Sequence, residues 1–213
     1  IIGTFLLSTS DIAKHGLISH NVIPNAYKNY CKEKLDDSLH HQFDTWSKLL
    51  PLKADDANIE VSQGDNLNLH LHNKTIFHIV NETLTQSHNN TSMFYSEKTF
   101  KPIMAFQPFV IYGQQYCHRE LEALGFKLFH DQFDYSFDNE EDWFKRYNKL
   151  LISITDTINN LKHLTPDQLI EWKFKNEQIL KHNFVHVHNI KFAVDKINTS
   201  LYNFIKMNNI NTR

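Results

Sequence analysis

Hydrophobic positions recur at steps of three and four through most of this chain, and in a few places they close up into short continuous runs. Phe5, Leu6, Ile12, Ala13 and Leu17 predict a helix from residue 4 to about 15, with Gly16 at its C-cap. Tyr27, Tyr30, Cys31, Leu35, Leu39, Phe43, Trp46 and Leu49 predict one or two amphipathic helices over 26–50, closed by Pro51. Residues 53–69 are polar and irregular and read as a loop. Thr75 to Val80 is a β-branched and aromatic run, the pattern of a buried strand. Pro108 to Tyr112 predicts a second strand and Phe126 to Phe129 a third. After a loop over 86–91, Ser96 opens a short helix between the first two strands. Residues 115–124 form another, with Leu121 and Leu124 inward and Gly125 ending it. Trp143 to Leu161 is a longer helical pattern. Thr165-Pro166-Asp167-Gln168 is a helix start, with Thr165 as cap and Pro166 in the first turn, and the pattern runs to about 181. A last helix is expected from Val185 to Lys206.

Strand, helix, strand, helix in the middle third is the order of a parallel sheet with crossovers. Such sheets bind ligands at the carboxyl ends of their strands. Asn81-Glu82 lies just past the first strand, and Ser96 to Lys101 opens the helix before the second, so both are expected at one crevice. Ser96 is a good N-cap, and a helix start carries unpaired N–H groups and partial positive charge that suit a phosphate. Lys98 and Lys101, three apart, share a helix face and would hold a diphosphate, while Glu97 would accept from sugar hydroxyls. The same residues also make an ordinary solvated surface helix, or a small α/β phosphate-binding module for another ligand.

Composition narrows the classes. The 213 residues suffice for one large domain or one and a half small ones. A formal net charge of −2 argues against a dedicated nucleic-acid binder. Glycine numbers only five, and neither G-x-G-x-x-G nor a P-loop sequence is present. Cys31 and Cys117 are too few and too far apart for a disulfide framework, which suits a reduced cytoplasmic setting. No apolar run approaches the ~18–20 residues of a spanning helix, and the opening residues do not read as a signal peptide. The first residue is Ile1 rather than Met, so a fragment is expected. Fourteen histidines include His70/His72 and His186/His188, which would share a face on a strand, but no third ligand stands at diagnostic spacing and no metal is expected. Cys117-His118 has no visible third partner for nucleophilic work. The acidic stretch Asp134, Asp138, Glu140, Glu141 and Asp142 reads as a helix N-terminus rather than a calcium loop.

Val80-Asn81-Glu82-Thr83 followed by Tyr95-Ser96-Glu97-Lys98 resembles the donor half of GT-B glycosyltransferases, and most closely α-1,3-fucosyltransferases. In that family a strand ending Phe-Glu-Asn precedes Tyr-[Ile/Val]-Thr-Glu-Lys and a helix; here the order is Asn-Glu. Phe100-Lys101-Pro102-Ile103, Pro108-Phe109, Leu124 to Phe129, Phe133 to Asp138 and Arg146 are similar to glycosyltransferase-like proteins of phages and large viruses. The resemblance covers roughly residues 76–155. It implies an α/β fold, a Rossmann-like parallel-sheet domain forming the C-terminal GT-B half over 71–165, with flanking helices and a helix-rich whole. Residues 1–70 would be a helical remainder of the N-terminal acceptor region, and 166–213 C-terminal helices. It further implies sugar transfer from a nucleotide-diphosphate sugar to an unknown acceptor, without a cofactor or metal, in the cytoplasm, including a host's for a viral protein. Glu82 would lie near the transferred sugar as the catalytic candidate, with Tyr95, Ser96, Glu97, Lys98 and Lys101 around the donor. The general base of such enzymes lies in an N-terminal domain, which is expected to be largely missing from this chain. The alternative is a non-catalytic interaction or structural module retaining the fold.

Overall fold

A computed structural model describes residues 1–18, 20, 22–52, 67, 69–86 and 93–190. Helix α1 (Ile2–Ser8) and a 3₁₀ turn (Asp11–His15) lead to α2 (Asn25–Lys34), a second 3₁₀ turn (Asp37–Leu39), α3 (His40–Ser47) and α4 (Leu69–Asn73). Strand β1 (His78–Asn81), α5 (Glu97–Met104) and β2 (Phe109–Tyr112) follow, then α6 (Cys117–Ala123) and a 3₁₀ turn (Ser136–Asn139). Helices α7 (Trp143–Leu161), α8 (Pro166–Phe174) and α9 (177–190) complete the description. The architecture is helix-rich, built on a small two-stranded parallel sheet.

The two strands pair in parallel, His78 opposite Phe109 and Asn81 opposite Tyr112. All four β2 residues are buried, as in a strand covered on both faces. Helix α5 makes the crossover between them. Its Ser96 cap matches the sequence pattern. It ends in a Schellman-type turn: Phe106, at φ 52°, donates its N–H to Ile103 O and Gln107 donates to Pro102 O. Helix α7 spans the expected 143–161. It buries Tyr147, Leu150, Ile154, Thr157 and Leu161, a three-four spacing that fixes one inward face. Thr165 and Gln168 form the expected capping box.

The main core gathers β1, β2, α6, α7 and the 126–137 segment around Phe109, Ile111, Leu121, Phe129 and Ile154. A second cluster, Phe5, Ile23, Cys31, Leu35, Phe43 and Trp46, belongs to the first three helices, with Phe5 edge-on to Phe43 at 5.2 Å.

Several expectations are corrected. The helix over 4–15 breaks after Ser8: Ser10 turns extended, and Gly16 is extended rather than a left-handed cap. His70 and His72 sit on helix α4, as His186 and His188 sit on α9, so neither pair shares a strand face. Leu124 is exposed, whereas Leu121 is fully buried. The break expected between residues 181 and 185 falls instead at 175–176. Most of the loop over 53–69, all but the first residue of the loop over 86–91 and the last helix beyond 190 lie outside the described residues.

Phe126 to Phe129 forms no strand, and the reason is chemical. The outer edge of β2 is already occupied by side chains. Tyr135 donates its hydroxyl to Phe109 O at 3.1 Å and accepts from Phe129 N–H at 3.3 Å. His118 Nε2 accepts Ile111 N–H at 2.9 Å. A phenol and an imidazole thus replace the ladder bonds of a third strand. The 126–129 segment pairs instead with α9, where Asn183 meets both the N–H and the carbonyl of Lys127 at 2.8 Å.

Two histidines of α9 close the end of α6. His182 Nε2 donates to Gly125 O at 2.8 Å and His186 Nε2 to Leu124 O at 2.7 Å. Gly125 has φ +95°, and a Cβ there would stand 2.8 Å from the His186 ring. Gly125→Ala is expected to cost about 2–3 kcal/mol, part backbone strain and part displaced imidazole. In urea melts, adding His186→Ala should recover the steric part and leave about 1 kcal/mol of backbone cost.

Candidate functional site

The sequence places a crevice beyond the carboxyl ends of β1 and β2, and Glu82, Ser96, Glu97 and Lys98 gather there. Glu82 follows β1 directly, and its N–H extends the ladder to Tyr112 O at 2.9 Å. Its carboxylate is 5% exposed and turns onto the start of α5. It accepts Ser96 N–H at 3.0 Å, the Ser96 hydroxyl at 2.7 Å and the buried Thr99 hydroxyl at 2.6 Å. Ser96 Oγ in turn accepts Lys98 N–H at 3.2 Å. The helix start that the sequence offers to a phosphate therefore already holds an anion, the chain's own Glu82. The helix dipole and four donors, Thr83 N–H at 3.3 Å being the fourth, compensate its desolvation. Glu82 and the α5 start do meet, but the Glu82 carboxylate turns onto the helix rather than outward.

The groups left at the mouth are Glu97, Lys98 and Thr83. Lys98 Nζ stands 3.4 Å from Glu97 Oε1, 3.3 Å from Ser96 Oγ and 3.4 Å from Thr83 Oγ1. Both charged side chains are a little over two-fifths exposed, so their ion pair is screened and easily exchanged for a ligand. Partial burial pulls the Glu97 carboxyl upward, but its own N–H and the charges of Lys98 and Lys101 outweigh that and lower its pKa.

Lys101 lies one helical turn further on, about 4.5 Å along the axis. Its charge reaches Glu97 and also His78 at the start of β1. The expected pair of ammonium groups is thus one at the mouth and one set back toward the strand. Burial first, then His72 and Lys101, push His78 down to about 4. The His72 and His78 rings stack at 5.3 Å. Because the unfolded chain takes up that proton first, His78 should leave stability unchanged above pH 6.5 and cost stability as pH falls from 6.5 to 4. Full burial would give about 3 kcal/mol; the ring is partly exposed, so about 1–2 kcal/mol is expected. Denaturant melts across that window should flatten in His78→Gln.

Tyr95 turns inward: its hydroxyl donates to Cys117 O, and so points away from any donor at the mouth. Arg146 reaches the site from α7 and is 2% exposed. It donates to Glu140 O at 2.5 Å, to Glu141 O at 3.0 Å, to Gly113 O at 3.2 Å and to Thr85 O. One guanidinium therefore ties together the segments leaving both strands. Its Nε has no partner among the described residues.

Behind the crevice stands a cluster that the sequence did not reveal, Cys117, His118 and Asp138. Cys117 and His118 are adjacent in sequence, but their third member comes from a loop twenty residues on. Asp138 Oδ1 accepts His118 Nδ1–H at 2.9 Å and the Cys117 thiol at 3.3 Å. Its carboxylate also accepts the N–H groups of His118 and Arg119, at 3.1 and 3.3 Å. Burial alone would raise the Asp138 pKa; the His118 contacts and backbone donors outweigh it and lower it. Burial, reinforced by Asp138, pushes the Cys117 thiol well up, so it is a donor here and no nucleophile. The ligand atoms are close enough for a metal, but His118 argues against one. Nε2 accepts Ile111 N–H, so the proton sits on Nδ1. A metal at Nδ1 would drive that proton to Nε2, against a backbone N–H. The cluster is a hydrogen-bonded brace. It holds Tyr116 at φ 66°, a left-handed conformation costing a non-glycine residue roughly 1 kcal/mol.

Among the described residues no helix is long and apolar enough to cross a membrane. No family model matches the chain, and no match was found among curated proteins or solved structures.

Proposed function

We propose that the chain carries the donor-binding half of a GT-B-type glycosyltransferase, a Rossmann-like unit that binds a nucleotide-diphosphate sugar for transfer to an acceptor. One observation carries this reading: Glu82, Ser96, Glu97 and Lys98 converge beyond the carboxyl ends of two parallel strands. In this reading Lys98 exchanges Glu97 for a phosphoryl oxygen of the donor. Glu97, released, accepts from ribose or sugar hydroxyls, and Thr83 adds a hydroxyl beside the phosphate. Glu82 is a positioning residue that fixes the α5 start, and Lys101 supplies positive potential one turn behind. A leaving nucleoside diphosphate gains negative charge, and a fixed ammonium favours that without reorganisation.

Calorimetric titration with GDP-, UDP- and ADP-sugars tests this. Lys98→Ala should weaken binding about 10–100-fold, as expected for loss of a charged hydrogen bond, and Glu97→Ala by about tenfold. Equal affinity in all three proteins would remove both roles. A second reading, a non-catalytic interaction module, is favoured by the internal charge balance of the crevice: Glu82 fills the helix start and Lys98 has Glu97. A folded chain that binds none of the nucleotide sugars would support it.

A further inference from the structure

We propose that Asp138 is a positioning residue for the crevice, acting through the first turn of α6 and Tyr95 on the start of α5. This rests on reading the crevice as the functional site; the linkage itself does not need a ligand. The segment delivering Ser96 hangs by two tethers from the start of α6 and the Gln114–Cys117 turn that leads into it. Phe94 N–H donates to the buried Gln114 Oε1 at 2.8 Å, and the Tyr95 hydroxyl donates to Cys117 O. Both acceptors belong to the turn that Asp138 holds. Asp138 takes Tyr116 N–H on its carbonyl at 2.9 Å, and the donors of Cys117, His118 and Arg119 on its carboxylate. Strained backbone at Tyr116 persists because these contacts over-determine it. The chain of contacts therefore runs from Asp138 through Cys117 and Tyr95 to Ser96, whose N–H and hydroxyl meet Glu82 and whose Oγ receives Lys98 N–H. Asp138 itself is 5% exposed and belongs to the core behind the crevice.

Amide hydrogen exchange on the unliganded protein, followed by NMR, tests the linkage. Asp138→Asn puts an amide N–H₂ among donors, so the turn loosens. Exchange at Ser96 and Lys98 should accelerate about tenfold or more, while Leu150 and Ile154 in α7 change by less than about twofold. Tyr95→Phe removes only the tether hydroxyl and should accelerate the same two amides by a smaller factor, leaving His118 unchanged. Unaltered exchange at Ser96 and Lys98 in Tyr95→Phe overturns the proposal, as does equal acceleration through α7 in that variant, which would mean general destabilisation. If Asp138→Asn fails to fold, Tyr95→Phe decides. Because no nucleotide sugar is present, failure of donor binding and failure of the linkage are read separately. Where donor binding is found, Tyr95→Phe should weaken it while melting curves of the core stay in place.

Discussion

Arg146→Met is expected to lower the unfolding free energy by about 3–5 kcal/mol, the largest effect of any single replacement near the crevice. Methionine fills much of the space but offers no donor. The carbonyls of Thr85, Gly113, Glu140 and Glu141 each lose a charged partner, fully buried at Gly113 and part-buried at the other three. An acceptor left unpaired in the interior costs about 1–3 kcal/mol, and relief of the buried charge returns part of that. Arg146→Lys should recover less than half, since an ammonium cannot span acceptors on opposite sides as a planar guanidinium does. Guanidinium-chloride unfolding of the three proteins measures it. A loss below about 1 kcal/mol in Arg146→Met would mean the clasp is replaced by water and is no structural element. The loss should also be felt locally, because Thr85 and Gly113 are where the chain leaves β1 and β2.

Glu82→Ala is expected to cost about 2–4 kcal/mol. Four donors converge on this carboxylate: Ser96 N–H, the Ser96 hydroxyl, the Thr99 hydroxyl and, at 3.3 Å, Thr83 N–H. Removal leaves them unpaired and takes away the anion that matches the α5 dipole. Glu82→Gln should cost about half as much, since one oxygen remains and both hydroxyls can rotate to donate elsewhere. The comparison separates charge from shape. If Glu82 instead touched the transferred sugar, Glu82→Gln would abolish transfer with stability intact. The contacts favour an effect on stability; where donor binding is found, it should weaken through the shifted helix start. Measuring melts and donor affinity on the same variants distinguishes the two.

The core of α7 and the caps of α5 and α8 were legible because they are local. Asp142, Ser96 and Thr165 bond to N–H groups two or three residues away, and the inward face of α7 repeats at its own helical period. The parallel pairing of β1 and β2 was legible from the strand–helix–strand order. The third strand was not. Phe126 to Phe129 has the composition of a strand, but whether it pairs depends on what reaches the edge of β2 first, and Tyr135 and His118 do. Likewise the spacing of Phe5 and Ile12 cannot reveal that Phe5 packs with Phe43 and Trp46 while Ile12 joins the main core, so that the helix between them breaks. Nor does sequence show that His72 is taken into a helix and buried against Gln107.

The sequence alone determined the cap of α5, the parallel order of the two strands that it joins, and the set of charged residues gathered near their carboxyl ends. Those follow from backbone donors, periodicity and chain order, which act over a few residues. Only the tertiary structure decided what each charge does. Glu82 is drawn into the helix start because a buried carboxylate needs donors. Lys98 is left at the mouth with Glu97, and Tyr95 turns away toward Cys117. Arg146 finds the far-off carbonyls of Thr85 and Gly113 as well as those of nearby Glu140 and Glu141, and Asp138 completes a cluster with Cys117 and His118, some twenty positions before it. Partners of buried polar groups are set by which segments converge once the core forms, and no spacing along the chain records that.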